Sequence, residues 1–207
     1  MIAVALLSLS LALLPARGTS GRKPFQFEGK FVEGCTCKQI CQFEITGADT
    51  KCSAIGAYEF SKGTYGGKSI AGTRVAFAVS PKGWLHLYVD GGDAGRRMTV
   101  VEMFKVALKD WGKLQPVEHK AVAISGKDGR YVTKVDGGRI MVLQSEPVTY
   151  PGHAEAITYG HLFDNTLHKA ISQARTITGT FHDGKHSFSF QGSNGFFNAN
   201  LKEKGIL

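Results

Sequence analysis

The chain has 207 residues, of which 43% are hydrophobic and 20% charged, and its formal net charge is +8 at pH 7. These values are typical of one soluble globular domain and exclude a disordered chain. The basic residues form neither a stripe nor a known nucleic-acid module, so the positive charge indicates a solvated cationic surface and no nucleic-acid partner.

The first predicted element is an apolar run over residues 2–14. It is too short to span a bilayer as a helix, but its length suits the core of a secretory signal, and Ala16-Arg17-Gly18 has a small-x-small cleavage pattern. We therefore expect residues 1–18 to be a signal peptide and residues 19–207 to form a single domain, secreted or periplasmic, with no stable membrane span once mature. An uncleaved anchor is the alternative, since no Lys or Arg precedes the run.

Strands are predicted next. Apolar residues alternate with polar ones over residues 25–31, which predicts a half-buried strand that leads into the cysteines. Residues 54–65, 69–80 and 83–90 have similar patterns. The period then changes over residues 96–111, where apolar side chains recur at helical spacing: Val100, Met103, Phe104, Ala107, Leu108 and Trp111. This helix should end at Gly112 and pack on a sheet.

Strands resume at residues 117–125, 130–136 and 139–148, separated by Asp-Gly and Gly-Gly turns that are typical of hairpins. Residues 149–168 have no clear period and are expected to form a loop, with at most a short helix. A hairpin around Asp183-Gly184 and an edge strand from residue 195 complete the chain. The predicted fold class is α+β: a mostly antiparallel sheet, barrel- or sandwich-like, with one main covering helix at about 96–111.

All four cysteines lie in one segment, FVEGCTCKQICQFEITGADTKC, with the spacing C-x-C-x3-C-x10-C. On an extended strand Cys35 and Cys37 point to the same face about 7 Å apart, too far for a disulfide. Zinc bonds of about 2.3 Å to sulfur would instead let two thiolates sit about 3.7 Å apart on one ion. Cys35, Cys37, Cys41 and Cys52 are therefore candidate metal ligands, for zinc or copper.

Disulfides are the alternative, since an exported protein meets oxidising conditions. Two pairings are feasible: Cys35–Cys41 with Cys37–Cys52, and Cys35–Cys52 with Cys37–Cys41. Cys37 and Cys41 can meet across a single helical turn, which also leaves open a thiol oxidoreductase acting through this pair. No C-x-x-C motif is present to favour that last option.

The histidines are expected to be structural. In a two-residue hairpin His182 would pair with Lys185 and Phe181 with His186, so His182 and His186 would face opposite sides of the sheet and could not share a metal. His86 shares a strand face with Trp84 and Tyr88, which is either a pocket lining or core. Three others lie in the predicted loop: His153, His161 and His168.

The segments FEGKFVEGCTCKQIC, YEFSKGTYGG, WLHLYVD and DGKHSFSFQGSNGFF together resemble a bacterial family of unknown function whose signature is E-x-C-x-C-x3-C-P-C with one further cysteine downstream. The resemblance extends from about residue 27 to residue 198 and assigns the signature to Glu33 and the four cysteines. Gln42 and Phe43 stand where the family has Pro-Cys, so one family thiol is missing. The resemblance implies a thiol cluster as the hallmark, with a metal-handling role.

These observations predict an exported, non-enzymatic protein whose partner is a metal ion or a small ligand, with Glu33 as a further ligand or an outer-shell partner. The alternatives are a ligand-binding β domain stapled by disulfides and a thiol–disulfide oxidoreductase. No catalytic residues are assigned, because the chain has neither a G-x-S-x-G nor an H-E-x-x-H motif.

Overall fold

The computed structural model describes residues 21–48 and 51–207, so the predicted signal peptide lies outside the described residues. The described residues form one sheet and two α-helices, α1 (Gln42–Thr46) and α2 (Ala94–Ala107). The strands are β1 Pro24–Cys35, β2 Ala54–Tyr65, β3 Lys68–Ser69, β4 Thr73–Ser80, β5 Trp84–Gly91, β6 Lys113–Leu114, β7 Glu118–His119, β8 Val122–Lys127, β9 Arg130–Val135, β10 Met141–Pro147, β11 Thr158–Gly160, β12 Ala170–His182, β13 Ser187–Phe190 and β14 Ser193–Ile206. Their pairing is antiparallel except where β5 meets the short strands β6 and β7, so the predicted mostly antiparallel sheet is confirmed.

The sheet has the order β6-β5-β4-β2-β1-β14-β12-β10-β9-β8, and it curls into a half-barrel. Strands far apart in this order meet inside the curl. Trp84 of β5 stacks on Phe181 of β12, with ring centroids 5.4 Å apart. The backbone N–H of Val122 in β8 also donates to the Asp90 carboxylate of β5 at 3.0 Å. The curl therefore brings the start of β5 against the end of β12.

The prediction of a terminal edge strand was wrong, because β14 lies in the middle of the sheet. It pairs with β1 on one side and with β12 on the other. Phe196 and Phe197 are both buried although they point to opposite faces, which is the pattern of a strand covered on both sides. The position of a strand within a sheet cannot be read from its period alone.

Helix α2 begins at its N-cap Asp93, whose carboxylate accepts the N–H of Arg96 at 2.9 Å. It ends at Ala107, earlier than the predicted range of 96–111, and Trp111 packs from the following loop instead of from the helix. Phe104 is fully buried and lies edge-on to Tyr58 of β2, with ring centroids 5.3 Å apart. No helix in the described ranges is both long and apolar enough to cross a membrane.

Strand β1 connects this apolar layer to the cysteines. Phe27, Phe31 and Cys35 point to the face that α2 covers, whereas Val32 points into the curl. The segment after β10 contains only β11 and irregular turns over residues 149–168, which confirms a loop without a helix there. Through His168 this loop reaches the cysteine end of β1, where it stacks on Phe31.

Candidate functional site

A cavity of about 150 Å³ opens at the end of β1. Glu33 and Cys35 line it from alternate positions of that strand. Cys41, the residue immediately before α1, also lines it. The alternation that placed Glu33 on the cysteine face of the strand is thus confirmed. The full lining is Glu33, Cys35, Cys41, Phe43, Glu44, Cys52, Ala54, Val79, Pro81, Lys82, Asp110 and Trp111.

The four cysteines are not equivalent. Cys37 and Cys52 form a disulfide, with Cα atoms 5.4 Å apart, while Cys35 and Cys41 are buried free thiols. The alternative pairing of Cys37 with Cys41 in a disulfide was therefore wrong, because the chain returns after α1 and brings Cys52 to Cys37. The backbone N–H of Thr36 donates to the carbonyl of Ser53 at 2.9 Å and fixes this return.

The sulfurs nevertheless lie together. The Sγ atoms of Cys35, Cys37 and Cys41 are all within 4.8 Å of one another. Asn194 donates its side-chain amide to Cys35 Sγ at 3.6 Å, and its backbone N–H donates to the carbonyl of Cys37 at 2.9 Å. One residue of β14 therefore anchors the start of the cluster, and Cys52 Sγ is joined to it through the disulfide.

The two thiols differ in acidity. The hydrogen bond from Cys35, followed by the backbone N–H groups of Glu44 and Phe43, lowers the pKa of Cys41 to about 7, although burial opposes this. The same hydrogen bond to Cys41, together with burial, raises the pKa of Cys35 above its ordinary value. Above about pH 7 the pair therefore holds one proton between its two sulfurs, with the negative charge on Cys41.

Two buried carboxyl groups flank these thiols. Glu33 is 5% exposed and Glu44 is 3% exposed. Within the described part of the chain, Glu44 Oε2 has no hydrogen-bond partner, and it lies 3.7 Å from His168 Nε2, which also has none there. His168 is held from its other side by the Tyr58 hydroxyl, which lies 2.9 Å from Nδ1. Sequence reasoning did not single out Glu44 and treated His168 as a structural loop histidine, although the C-x-x-E spacing from Cys41 to Glu44 matches that of an N-cap residue and the third helical residue.

The cavity has an excess of acidic groups. Burial raises the pKa of Glu33 well above its ordinary value, and the nearby Glu44, Cys41 and Asp164 raise it further. The lining residues named above contribute three carboxyl groups and one ammonium group, that of Lys82 at the exposed rim. A cation that entered this cavity would be attracted by the Cys41 thiolate and would favour ionisation of Glu33.

The histidine predictions need a correction at the last hairpin. His182 pairs with Ser187 and Phe181 with Phe188, so the turn has four residues and His186 lies in the turn rather than on a strand. His186 is thereby free of strand alternation, and it contacts His86 of β5, with 3.1 Å between ring nitrogens. The predicted shared face of Trp84, His86 and Tyr88 is confirmed, because all three pack on Phe181.

No family model and no curated protein matches the chain. Among solved structures it is similar to the enduracididine biosynthesis enzyme MppR, with 11% identity, 99% of this chain and 97% of that chain covered, and a TM-score of 0.35. It is also similar to acetoacetate decarboxylase from Legionella pneumophila, with 10% identity, coverage of 99% and 98%, and a TM-score of 0.36. A further acetoacetate decarboxylase has 8% identity, coverage of 91% and 90%, and a TM-score of 0.34. Similarity at this level carries no argument about the activity of this chain.

Proposed function

We propose that the chain is an exported, non-enzymatic protein that binds a soft transition metal, copper or zinc, through its cysteine cluster. The observation that carries this proposal is the convergence of Cys35, Cys37 and Cys41 Sγ atoms within 4.8 Å, beside buried carboxyl groups. Soft thiolates select Cu(I) and Zn²⁺ over hard cations. A hydrogen-bonded core alone would not need two unpaired thiols next to two buried acids.

The donor set fits a metal in two redox states of the protein. With Cys37–Cys52 closed, Cys35 and Cys41 are the available thiolates, and a metal ion would replace the proton that they share. Two thiolates with few other donors suit Cu(I). With the disulfide reduced, Cys37 and Cys52 would add two sulfurs and complete the four-thiolate set that suits zinc.

The charge balance also supports a cation. Glu44 Oε2 lacks a hydrogen-bond partner in the described residues, and the pKa of Glu33 is raised by burial among acidic neighbours. Both groups would be stabilised by a positive charge in the cavity. Glu33 and Glu44 are thus the outer partners that would position the thiolates or bind the ion directly.

We further propose the export of the protein, its relation to the bacterial family and the covering role of α2. Export of residues 19–207 as one domain agrees with a disulfide, since disulfides persist in oxidising compartments. Membership of the bacterial family with the E-x-C-x-C-x3-C-P-C signature would make the thiol cluster its shared feature. The α+β description, with α2 as the covering helix, rests on the packing of Phe104 against Tyr58 and Phe60.

The test is to purify the protein from its own compartment and to measure bound metal and free thiols on the same sample. We expect close to one copper or zinc ion per chain at the cysteine cluster, with Cys35 and Cys41 protected from alkylation until that metal is removed. Cys35→Ser should lower the metal content, whereas His182→Gln, an exposed control, should leave it unchanged. A metal-free protein that takes up neither Cu(I) nor Zn²⁺ at its thiols would refute the proposal.

A thiol–disulfide oxidoreductase is the second candidate, favoured by the lowered pKa of Cys41 beside Cys35. The reacting pair would be Cys35 and Cys41 rather than Cys37 and Cys41, since Cys37 is bonded to Cys52. The two thiols would be oxidised to a Cys35–Cys41 disulfide while a substrate disulfide receives two electrons and two protons and leaves as two thiols. Turnover of a disulfide substrate that Cys41→Ser abolishes would support this function, and no turnover would remove it.

A further inference from the structure

A second cluster of metal-ligating atoms, separate from the cysteines, lies where the curl of the sheet brings β5 to the β12–β13 turn. His86 Nε2 lies 2.8 Å from Asp183 Oδ2 and 3.1 Å from His186 Nδ1. His186 Nδ1 lies 3.3 Å from the same Asp183 oxygen. Three ligating atoms from two distant segments thus form a nearly equilateral triangle.

The turn holds its carboxylate in place. Asp183 Oδ1 accepts the backbone N–H groups of Lys185 and His186, which leaves Oδ2 directed at the two imidazoles. The indole of Trp84 stacks on the His186 ring at 4.6 Å and fixes its orientation. The side chains of His86 and Asp183 are only 7% and 8% exposed, so both are largely shielded from solvent. Such outer contacts are what orients ligands in metal sites.

Hydrogen bonds among the three groups account for two edges of the triangle at most. A neutral imidazole carries one N–H, so the three atoms share at most two ring protons. If both protons lie here, both point to Oδ2 and the two nitrogens face each other as donors. If only one of the two facing nitrogens carries a proton, at least one of the three contacts has no proton between its atoms. A cation is a partner that all three lone pairs can face together.

The spacings also fit a metal. Ligands about 2.1 Å from an ion are separated by about 3.0 Å in octahedral geometry and by about 3.4 Å in tetrahedral geometry. The three observed distances of 2.8, 3.1 and 3.3 Å are close to these values.

We propose that His86, Asp183 and His186 bind a divalent transition metal of borderline softness, of the class of Zn²⁺, Co²⁺ or Fe²⁺. Two imidazoles and one carboxylate are ligands that these ions accept, and they leave at least one position for water or an exogenous anion. This site differs from the cysteine site in ligand chemistry and in position, and it binds metal whether or not the thiols do.

The experiment uses the full chain with Cys35→Ser and Cys41→Ser, so that the free thiols do not compete. Co²⁺ is titrated and followed by its visible absorption, and Zn²⁺ is then added to displace it. We expect one Co²⁺ per chain, with affinity at least about 100-fold weaker after Asp183→Asn or His186→Gln, since even outer-shell changes cost about 10–100-fold. His182→Gln is the matched control, because this neighbouring histidine is exposed, and it should bind Co²⁺ unchanged.

A second measurement does not depend on the His86, Asp183 or His186 variants folding. Co²⁺ added to the same protein should shift the NMR signals of the His86 and His186 rings by its paramagnetism, and should shift those of His182 less. Absence of a Co²⁺ spectrum, an affinity that His186→Gln leaves unchanged, or unshifted His86 and His186 signals would each overturn the proposal.

Discussion

Removing the Cys37–Cys52 disulfide should lower the free energy of unfolding by an amount that depends on the length of the loop it closes. It joins residues separated by 15 positions. Closing a loop of this size restricts the unfolded chain by about 10 cal/mol/K, which corresponds to about 3 kcal/mol at 25 °C. Reduction, or the Cys52→Ala substitution, should therefore lower the free energy of unfolding by about 3 kcal/mol.

The assay is urea unfolding with and without a reductant. The wild-type protein should lose about 3 kcal/mol on reduction, the Cys52→Ala variant should start at the lower value, and reductant should change it no further. Cys35→Ala is the control, because it should retain the response to reductant. A wild-type stability that reductant does not change, or four thiols titrating in the folded oxidised protein, would refute this assignment of the bridge.

Three further outcomes are expected. Alkylation of Cys41 should follow a pH midpoint of about 7, because the Cys35 hydrogen bond and the N–H groups of Glu44 and Phe43 lower its pKa, and a midpoint near that of an ordinary thiol would contradict this. Glu33→Gln should stabilise the protein above pH 4.5, because burial raises the pKa of Glu33 and the wild-type stability falls as pH rises from 4.5 towards that pKa, by about 1.4 kcal/mol for each pH unit of that window; parallel stability curves for the two proteins would contradict it. Phe104→Ala should cost about 3–5 kcal/mol, because its ring is fully buried against Tyr58; a loss below 1 kcal/mol, as expected for an exposed ring, would show that α2 does not cover the sheet.

The local parts of the fold could be predicted because they depend only on the periodic spacing of apolar residues along the chain. The alternation in β1 places Glu33 and Cys35 on one face, and the helical spacing places Val100 and Phe104 on the buried side of α2. The pairing of Cys37 with Cys52 was one of two feasible choices. Backbone hydrogen bonds, such as that from Thr36 N–H to the Ser53 carbonyl, favour it over the other.

The features that the sequence could not predict depend on contacts between distant segments. His86 and His186 are separated by 100 positions and meet only because the sheet curls. The hairpin prediction misplaced His186, since Asp183-Gly184 begins a four-residue turn instead of a two-residue one. β14 reads as an edge strand by composition and becomes central because β1 and β12 cover both of its edges.

Cu(I) affinity measured anaerobically against a chromogenic chelator tests the central claim most directly. The oxidised wild-type protein should withdraw one Cu(I) per chain from the chelator, and the Cys35→Ser/Cys41→Ser double variant should withdraw none at the same concentration. His186→Gln, which alters the other cluster, should behave as wild type. Equal Cu(I) withdrawal by the wild type and the double variant would contradict a soft-metal site at Cys35 and Cys41.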